Sequence, residues 1–211
     1  MATIGLEATY LSVSGKGMSR YQLNLIKGLS RNDKQNYYYV FVNKRNTLPD
    51  LPRQENFCYV DLSFPMRTIW DQFQVPSILK KFKLDIYHSW IETLPVFAKA
   101  NFVLTVTEVP DYRMELADRT GRNSAYGRAS QQYIKLFFRQ SLKKARAIIV
   151  NSQSTKTDLV EKYNLDEKNI YVVYLAAQEN FCAERDAGKI TVIKNKFNAW
   201  DGYILHISSF D

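Results

Sequence analysis

The order of apolar runs and amphipathic stretches along the chain predicts alternating strands and helices. Short apolar runs are typical of buried strands, whereas apolar residues that recur every three or four positions are typical of helices with one buried face. The runs that predict strands lie at residues 4–8, 37–42, 57–62, 84–88, 102–107, 147–150, 170–174 and 203–207. The periodic stretches that predict helices lie at residues 18–29, 69–82, 124–145, 152–163 and 190–197. This alternation indicates the α/β class, a Rossmann-like parallel sheet with helices on both faces.

The first strand, the loop after it and the first helix form the most informative stretch of the chain. Gly5 allows the strand to pack closely, and the loop ends in Ser-Gly-Lys-Gly at residues 14–17. Main-chain amides at the start of a helix bind anions, so this turn is a candidate anion site. Arg20 stands where a dinucleotide fingerprint has its third glycine, and no Ser or Thr completes a Walker loop after Gly15. On spacing alone, a plain connector is an equally good interpretation.

The composition is that of a folded globular domain. Of 211 residues, 45% are hydrophobic, and the aromatic residues are 14 Tyr, 12 Phe and 3 Trp. A chain of this size can bury a sizeable core. No apolar run approaches the length of a membrane span, and the first residues lack the apolar centre of a signal peptide. A cytoplasmic location is therefore expected.

Neither a disulfide framework nor a metal site is predicted. Cys58 and Cys182 are far apart in sequence, and Cys58 lies in an apolar run where it is most simply a small buried side chain. His88 and His206 are the only histidines, and no Cys/His cluster has the spacing of metal ligands. No Asp-x-Asp pair follows a predicted strand either.

The chain is basic, with a net charge of +8 from 29 Lys and Arg against 21 Asp and Glu. Part of this charge forms one stripe on the predicted helix 124–145 and just after it, at Arg128, Gln132, Lys135, Arg139, Lys143 and Arg146. A solvated helix face is the favoured interpretation of this stripe. The alternative is a surface that rests on anionic lipid. Nucleic acid is not expected as a partner, since no recognition motif or stacking signature accompanies the charge.

Several segments together resemble the group-1 (family 4) glycosyltransferases. The run Gly-Leu-Glu-Ala-Thr-Tyr-Leu at residues 5–11 and the run Gly-Lys-Gly-Met-Ser-Arg-Tyr at residues 15–21 are similar to the start of that family. Residues 170–176 resemble the end of its N-terminal domain. Residues 203–209 resemble the first strand of its second domain.

The resemblance implies the N-terminal, acceptor-side half of a two-domain GT-B fold. Residues 1–183 would form the Rossmann-like domain, and residues 184–211 a linker and the first strand of a truncated second domain. The implied enzyme is retaining, needs no metal or cofactor, and moves a hexose from a nucleotide-sugar to a hydroxyl acceptor, which in many relatives is lipid-linked. The donor would bind through the second domain, so this chain alone is expected to be inactive. The alternative is a non-catalytic binding module or a natural half of a split glycosyltransferase.

Candidate site residues follow from the rule that ligands of open parallel sheets lie at the carboxyl ends of the strands. On the phosphate side these are Gly15, Gly17 and Arg20. On the sugar and acceptor side these are His88, Thr107, Glu108 and Ser152.

Three of these candidates also have a structural interpretation, and one is His88, since an isolated histidine is more often a satisfied structural group than a ligand. Arg20 is equally well explained as a solvated charge, and Ser152 as a helix cap. Many relatives have His-Asp where this chain has Thr107 and Glu108. Thr107 forms hydrogen bonds but does not shuttle a proton at neutral pH. Glu108 is the candidate catalytic group, to orient an acceptor hydroxyl or to act as a weak base if burial raises its pKa.

Overall fold

The computed structural model describes residues 1–14, 17–64, 69–111, 125–177, 183–200 and Gly202. The chain divides into two compact units, Met1–Leu175 and Ala176–Asp211. The strands of the first unit are β1 (Thr3–Ala8), β2 (Tyr37–Asn43), β3 (Phe57–Leu62), β4 (Ile86–Ser89), β5 (Asn101–Val106), β6 (Ala147–Val150) and β7 (Ile170–Val172). The helices are α1 (Gly17–Asn32), α2 (Val75–Lys81), α3 (Ala125–Lys144), α4 (Gln153–Tyr163) and, in the second unit, α5 (Ala187–Phe197).

The strands form one parallel sheet of order β3-β2-β1-β4-β5-β6-β7. The order reverses at β1, which pairs with β2 on one side and with β4 on the other. Such a reversal opens a crevice at the carboxyl ends of the two strands that flank it. The predicted fold class, a Rossmann-like α/β sheet, is confirmed.

Apolar side chains cover both faces of the sheet in two separate clusters. On one face Ile26 of α1 belongs to a cluster with Leu6 and Val40. On the other face Phe138 of α3 belongs to a cluster with Tyr87. Because successive residues of a strand point to opposite faces, β2 supplies side chains to both clusters, whereas β1 supplies them only to the cluster on the α1 side. Helices cover both faces of the sheet, as predicted, and bury these side chains.

Gly5 lies where β1 approaches its neighbours most closely. A Cβ atom at this position would lie 2.5 Å from Leu84 Cδ1, 3.0 Å from Phe41 Cε2 and 3.2 Å from Tyr87 Cδ2. Phe41 and Tyr87 are buried, so these rings have little room to shift. The close packing predicted at Gly5 is confirmed.

The interruption predicted at Pro76 also has its counterpart in the structure. A π-helical turn, Trp70–Gln74, leads directly into α2, and Pro76 lies in the first turn of α2. Proline is tolerated there because the first amides of a helix have no partner within the helix. The weak helix predicted at residues 190–197 is observed as α5, with the Asp186 carboxylate capping its start. The strand predicted at residues 203–207 lies outside the described residues.

Candidate functional site

The crevice at the order reversal is lined by the ends of β1, β4 and β5. Leu6 pairs with His88 across β1 and β4, and His88 pairs with Val103 across β4 and β5. The residues that follow in each strand therefore emerge at the same edge of the sheet. Polar side chains are concentrated at this edge of the sheet, and several of them are buried.

His88 lies at the centre of a hydrogen-bonded group on the α1 side of the sheet. Its side chain is only 7% exposed. The Trp90 indole donates a hydrogen bond from Nε1 to His88 Nε2 at 2.9 Å, and Thr105 Oγ1 lies 2.7 Å from the same nitrogen. Burial lowers the pKa of His88 to about 3. The imidazole is therefore neutral at physiological pH and serves as a hydrogen-bonding group, not as a cation.

Tyr21 of α1 closes this group from the helix side. Its ring packs edge-on against Trp90, with 5.9 Å between the ring centroids. Its hydroxyl is hydrogen-bonded to Thr105, and burial raises the pKa of this hydroxyl. Side chains from α1, β5 and β4 thus meet around His88.

Glu7 is a buried carboxylate at the end of β1. Its side chain is 0% exposed. Oε1 accepts hydrogen bonds from the Thr9 amide at 2.8 Å and from the Thr9 hydroxyl, and Oε2 accepts one from the Trp90 amide at 3.4 Å. Glu7 therefore fixes the turn after β1 and joins it to the segment after β4.

The segment after β4 is itself buried, which is unusual for a connection between strands. Residues 90–95 are all buried. Side chains satisfy its backbone: Ser141 Oγ accepts from the Leu94 amide at 2.8 Å, and Gln72 Oε1 accepts from the Val96 amide at 2.9 Å. Lys144 donates to the Val96 carbonyl at 2.7 Å and also to the Pro95 carbonyl. These bonds make the segment a fixed wall of the crevice.

The structure places the predicted phosphate-side residues at the start of α1. Gly17 is the first residue of that helix, and a Cβ added there would meet nothing within 4 Å. The space around Gly17 therefore does not require glycine. Arg20 lies in the first turn with its side chain exposed. Gly15 lies outside the described residues.

The predicted sugar-side residues lie at or just after the ends of three different strands at one edge of the sheet. His88 is the buried residue described above. Thr107 and Glu108 come directly after β5; Thr107 is half-buried and Glu108 is exposed. The exposed position of Glu108 does not provide the burial on which a weak-base role would depend.

Ser152, after β6, is the N-cap of α4. Its hydroxyl oxygen accepts from the Thr155 amide at 3.1 Å and lies 2.9 Å from the Thr155 hydroxyl. The structural interpretation given for Ser152 is therefore confirmed. Among the described residues, no hydrogen bond joins His88 to Arg20, Thr107 or Ser152. These candidates share an edge of the sheet, and only His88 belongs to the buried group.

Sequence reasoning missed four members of the site: Glu7, Tyr21, Trp90 and Thr105. Glu7 had a usable signal, since it is an acidic residue that interrupts an otherwise apolar strand. Trp90 had a weaker one, because it lies two residues beyond the strand-end histidine. The sequence pattern assigns Tyr21 to the apolar face of α1, which gives no indication of a role in the site. No feature of the sequence distinguishes Thr105 from Thr107 as a site residue.

In the part of the chain that the structure describes, no three His, Cys, Asp or Glu residues cluster in a way that could hold a metal ion. Among the described helices, none has both the length and the apolar character needed to cross a membrane.

A parallel sheet whose strand order reverses beside a group of buried polar side chains defines a Rossmann-like α/β protein. The sequence profile of Glycosyltransferase Family 4 matches residues 15–178. The chain belongs to this family.

Comparison with solved structures agrees on the fold. A crystal structure of a glycosyltransferase from Rickettsia africae ESF-5 matches with a TM-score of 0.50 and 17% sequence identity. The match covers 95% of this chain and 50% of that chain, so this chain spans about half the length of the protein it matches. No match was found among curated proteins.

Proposed function

We propose that this chain is the acceptor-side half of a retaining glycosyltransferase that moves a hexose from a nucleotide-sugar to a hydroxyl acceptor without a metal. Membership of Glycosyltransferase Family 4 is the observation that carries the proposal. The buried polar crevice at the order reversal supports it, because this is where open α/β sheets bind ligands. Residues 1–183 are assigned to this half, and residues 184–211 to a linker and the first strand of a second domain.

In this proposal the start of α1 faces the phosphates of the donor. Arg20 supports this role because its guanidinium is exposed and lies in the first turn, next to main-chain amides that favour an anion. Gly15 and Gly17 would let the loop approach a phosphate. The donor itself would be held mainly by a second, nucleotide-binding domain.

His88, Thr107, Glu108 and Ser152 are assigned to the sugar and acceptor side. A neutral His88 orients a hydroxyl and does not accept its proton, because burial holds its pKa far below neutral pH. Glu108 is the one carboxylate among these candidates, and its exposed position suits contact with an acceptor hydroxyl at the rim. Rate acceleration would come mainly from positioning and from stabilising the charge of the departing nucleotide.

A non-catalytic binding module is the second candidate function. The observation that favours it is Thr107, which stands where many relatives have a histidine and does not shuttle protons. A module of this kind would bind a carbohydrate without transferring it, alone or beside a separate nucleotide-binding chain.

Binding and transfer measurements distinguish these functions. The chain alone is expected to bind hydroxyl acceptors in saturation-transfer NMR and to give no sugar transfer from a panel of nucleotide-sugars. Transfer is expected only when a nucleotide-binding domain is supplied, in the same polypeptide or as a second chain, and it should persist in EDTA. Turnover by this chain alone would contradict the proposed division of roles, and binding without transfer in the two-domain context would favour the module.

Charge substitutions test the phosphate-side assignment in the two-domain protein. Arg20→Gln is expected to raise KM for the nucleotide-sugar. Arg53→Gln is the matched control, because Arg53 is also exposed but precedes β3, at the opposite edge of the sheet. Equal effects of the two substitutions would remove Arg20 from the site.

The exposed face of α3 suggests that the acceptor lies close to an anionic membrane. This helix contains no acidic residue, while Lys135, Arg139 and Lys143 are exposed along it. Leu136 is 72% exposed beside them. Basic side chains that flank an exposed apolar one are typical of helices that rest on anionic lipid.

Vesicle sedimentation tests this part of the proposal. The chain is expected to sediment with phosphatidylglycerol vesicles and not with phosphatidylcholine vesicles. The triple variant Lys135→Gln, Arg139→Gln, Lys143→Gln should lose this binding. The control triple variant Lys44→Gln, Arg45→Gln, Lys168→Gln removes the same charge from exposed positions outside α3 and should retain it. Equal losses in both variants would mean that net charge, and not α3, governs the interaction.

A further inference from the structure

The contacts of His88 Nε2 determine where the imidazole carries its proton. An indole N–H donates hydrogen bonds and cannot accept them. Trp90 Nε1 lies 2.9 Å from His88 Nε2, so this nitrogen must be the acceptor and carry no hydrogen. A neutral imidazole has one N–H, which is therefore on Nδ1.

Thr105 is compatible with the same assignment. Its Oγ1 lies 2.7 Å from His88 Nε2. With no hydrogen on Nε2, a bond at this distance requires the Thr105 hydroxyl to be the donor. Thr105 and Trp90 thus donate to the same nitrogen from different sides.

We propose that Trp90 is a positioning residue which holds His88 in the Nδ1–H tautomer, so that the crevice presents an N–H donor to a carbohydrate hydroxyl oxygen. Nδ1 makes no hydrogen bond to any described residue, which leaves this donor for a ligand. The carbohydrate as ligand rests on the function proposed above, whereas the tautomer rests only on the contacts of Nε2.

The geometry around Trp90 explains why the tautomer does not interconvert. Neutral imidazole in water exchanges its proton freely between the two nitrogens. Here, moving the proton to Nε2 would point an N–H at the indole N–H and leave a buried donor without an acceptor. The Trp90 amide also donates to Glu7, and its ring packs against Tyr21, so the indole is held from two directions.

Nitrogen NMR of the histidines tests the assignment without an activity assay. In long-range 1H–15N spectra of the ¹⁵N-histidine-labelled chain at pH 7.5, His88 is expected to show a protonated Nδ1 and an unprotonated Nε2. His88→Gln identifies its signals, and His206 remains as an internal reference. Trp90→Phe keeps a ring but removes the N–H donor, and is expected to shift the His88 pattern toward Nε2–H. An Nε2–H pattern in the unmodified chain, or an unchanged pattern in Trp90→Phe, would overturn the proposal.

A second variant covers the case in which Trp90→Phe does not fold, as judged by far-UV circular dichroism. Thr105→Val removes only the hydroxyl donor at nearly constant volume. It is expected to leave the Nδ1–H tautomer in place, because Trp90 still donates to Nε2, but to shift the Nε2 resonance. An unchanged Nε2 resonance in Thr105→Val would contradict the assigned hydrogen bond.

Carbohydrate binding separates this inference from the proposed function. Loss of one positioned hydrogen bond weakens binding on the order of three- to tenfold, and this is the loss expected for Trp90→Phe. Trp90→Phe could change the tautomer as expected and leave the affinity for carbohydrate unaltered. That result would overturn the role of His88 in ligand binding, and the tautomer assignment would remain valid. An unchanged tautomer with altered affinity would overturn the positioning role of Trp90 and leave the proposed function standing.

Discussion

The buried histidine makes a quantitative prediction about stability and pH. Burial lowers the pKa of His88 from 6.5 to about 3 in the folded chain. Below pH 6.5 the unfolded chain takes up a proton at this position and the folded chain does not, so protonation favours unfolding. The stability that depends on a neutral His88 is therefore fully present above pH 6.5 and is lost progressively as the pH falls from 6.5 toward 3.

The size of the effect at an accessible pH follows from the same two values. At pH 5.0 the unfolded histidine lies 1.5 pH units below its pKa of 6.5, which corresponds to about 2 kcal/mol at 1.36 kcal/mol per unit. The folded histidine is still almost entirely unprotonated at pH 5.0, so nearly all of this difference destabilises the fold.

Urea denaturation followed by far-UV circular dichroism measures the difference. The free energy of unfolding is determined at pH 7.5 and at pH 5.0 for the unmodified chain and for His88→Gln. The unmodified chain should lose about 2 kcal/mol more than the variant between these pH values. Comparing the two pH values within each protein removes the direct cost of the substitution and the titration of groups that both proteins share.

His206→Gln is the matched control, since it also removes one histidine and leaves His88 in place. It should retain the part of the pH dependence that His88 causes. Equal losses in the unmodified chain and His88→Gln, within about 0.5 kcal/mol, a typical limit for additivity, would mean that His88 titrates normally. The burial described for His88, and its hydrogen bonds with Trp90 and Thr105, would then be contradicted.

Three further predictions concern packing and capping, each measured by urea denaturation. Gly5→Ala should lower the free energy of unfolding by about 1–3 kcal/mol through overpacking. Gly28→Ala is the control, because an added Cβ meets nothing within 4 Å there; it should be neutral or stabilise α1 by up to about 1 kcal/mol. Equal effects of the two substitutions would contradict the close approach at Gly5. Ser152→Ala should cost about 1 kcal/mol, and no loss would contradict the cap of α4. Gln22→Met should stabilise the chain by on the order of 1 kcal/mol, because the buried Gln22 amide has no hydrogen-bond partner among the described residues; a loss of stability would show that this amide is paired.

The sheet could be predicted because each of its strands is an apolar run with recognisable ends. The fourth strand shows the limit of this reasoning. The apolar run begins at Leu84, but β4 begins at Ile86. The side chain of Leu84 packs against Gly5, which explains why the residue is apolar. Its amide, however, donates a hydrogen bond to the Leu79 carbonyl at the end of α2. Hydrophobicity reports burial, and a buried residue need not belong to the hydrogen-bond ladder of the sheet.

The site was less predictable because its members are brought together by pairing of non-adjacent strands. The strand-end rule located His88 correctly at the carboxyl edge. It did not identify Thr105, since Thr105 lies within β5 and Thr107 follows the last residue of that strand. Only the register between β4 and β5, which the sequence does not determine, places Thr105 against His88.

Trp90 connects the two faces of the sheet at this edge. Its indole contacts His88 on the α1 side, and its amide donates to Glu7. Glu7 alternates with Leu6 and Ala8 along β1, both of which belong to the cluster on the α1 side, so its side chain points to the opposite face. A displacement of Trp90 would therefore disturb the neutral imidazole and the buried carboxylate together. The position of both polar groups therefore depends on the contacts that hold the segment after β4, which come from α1, α3, Gln72 and the end of β1.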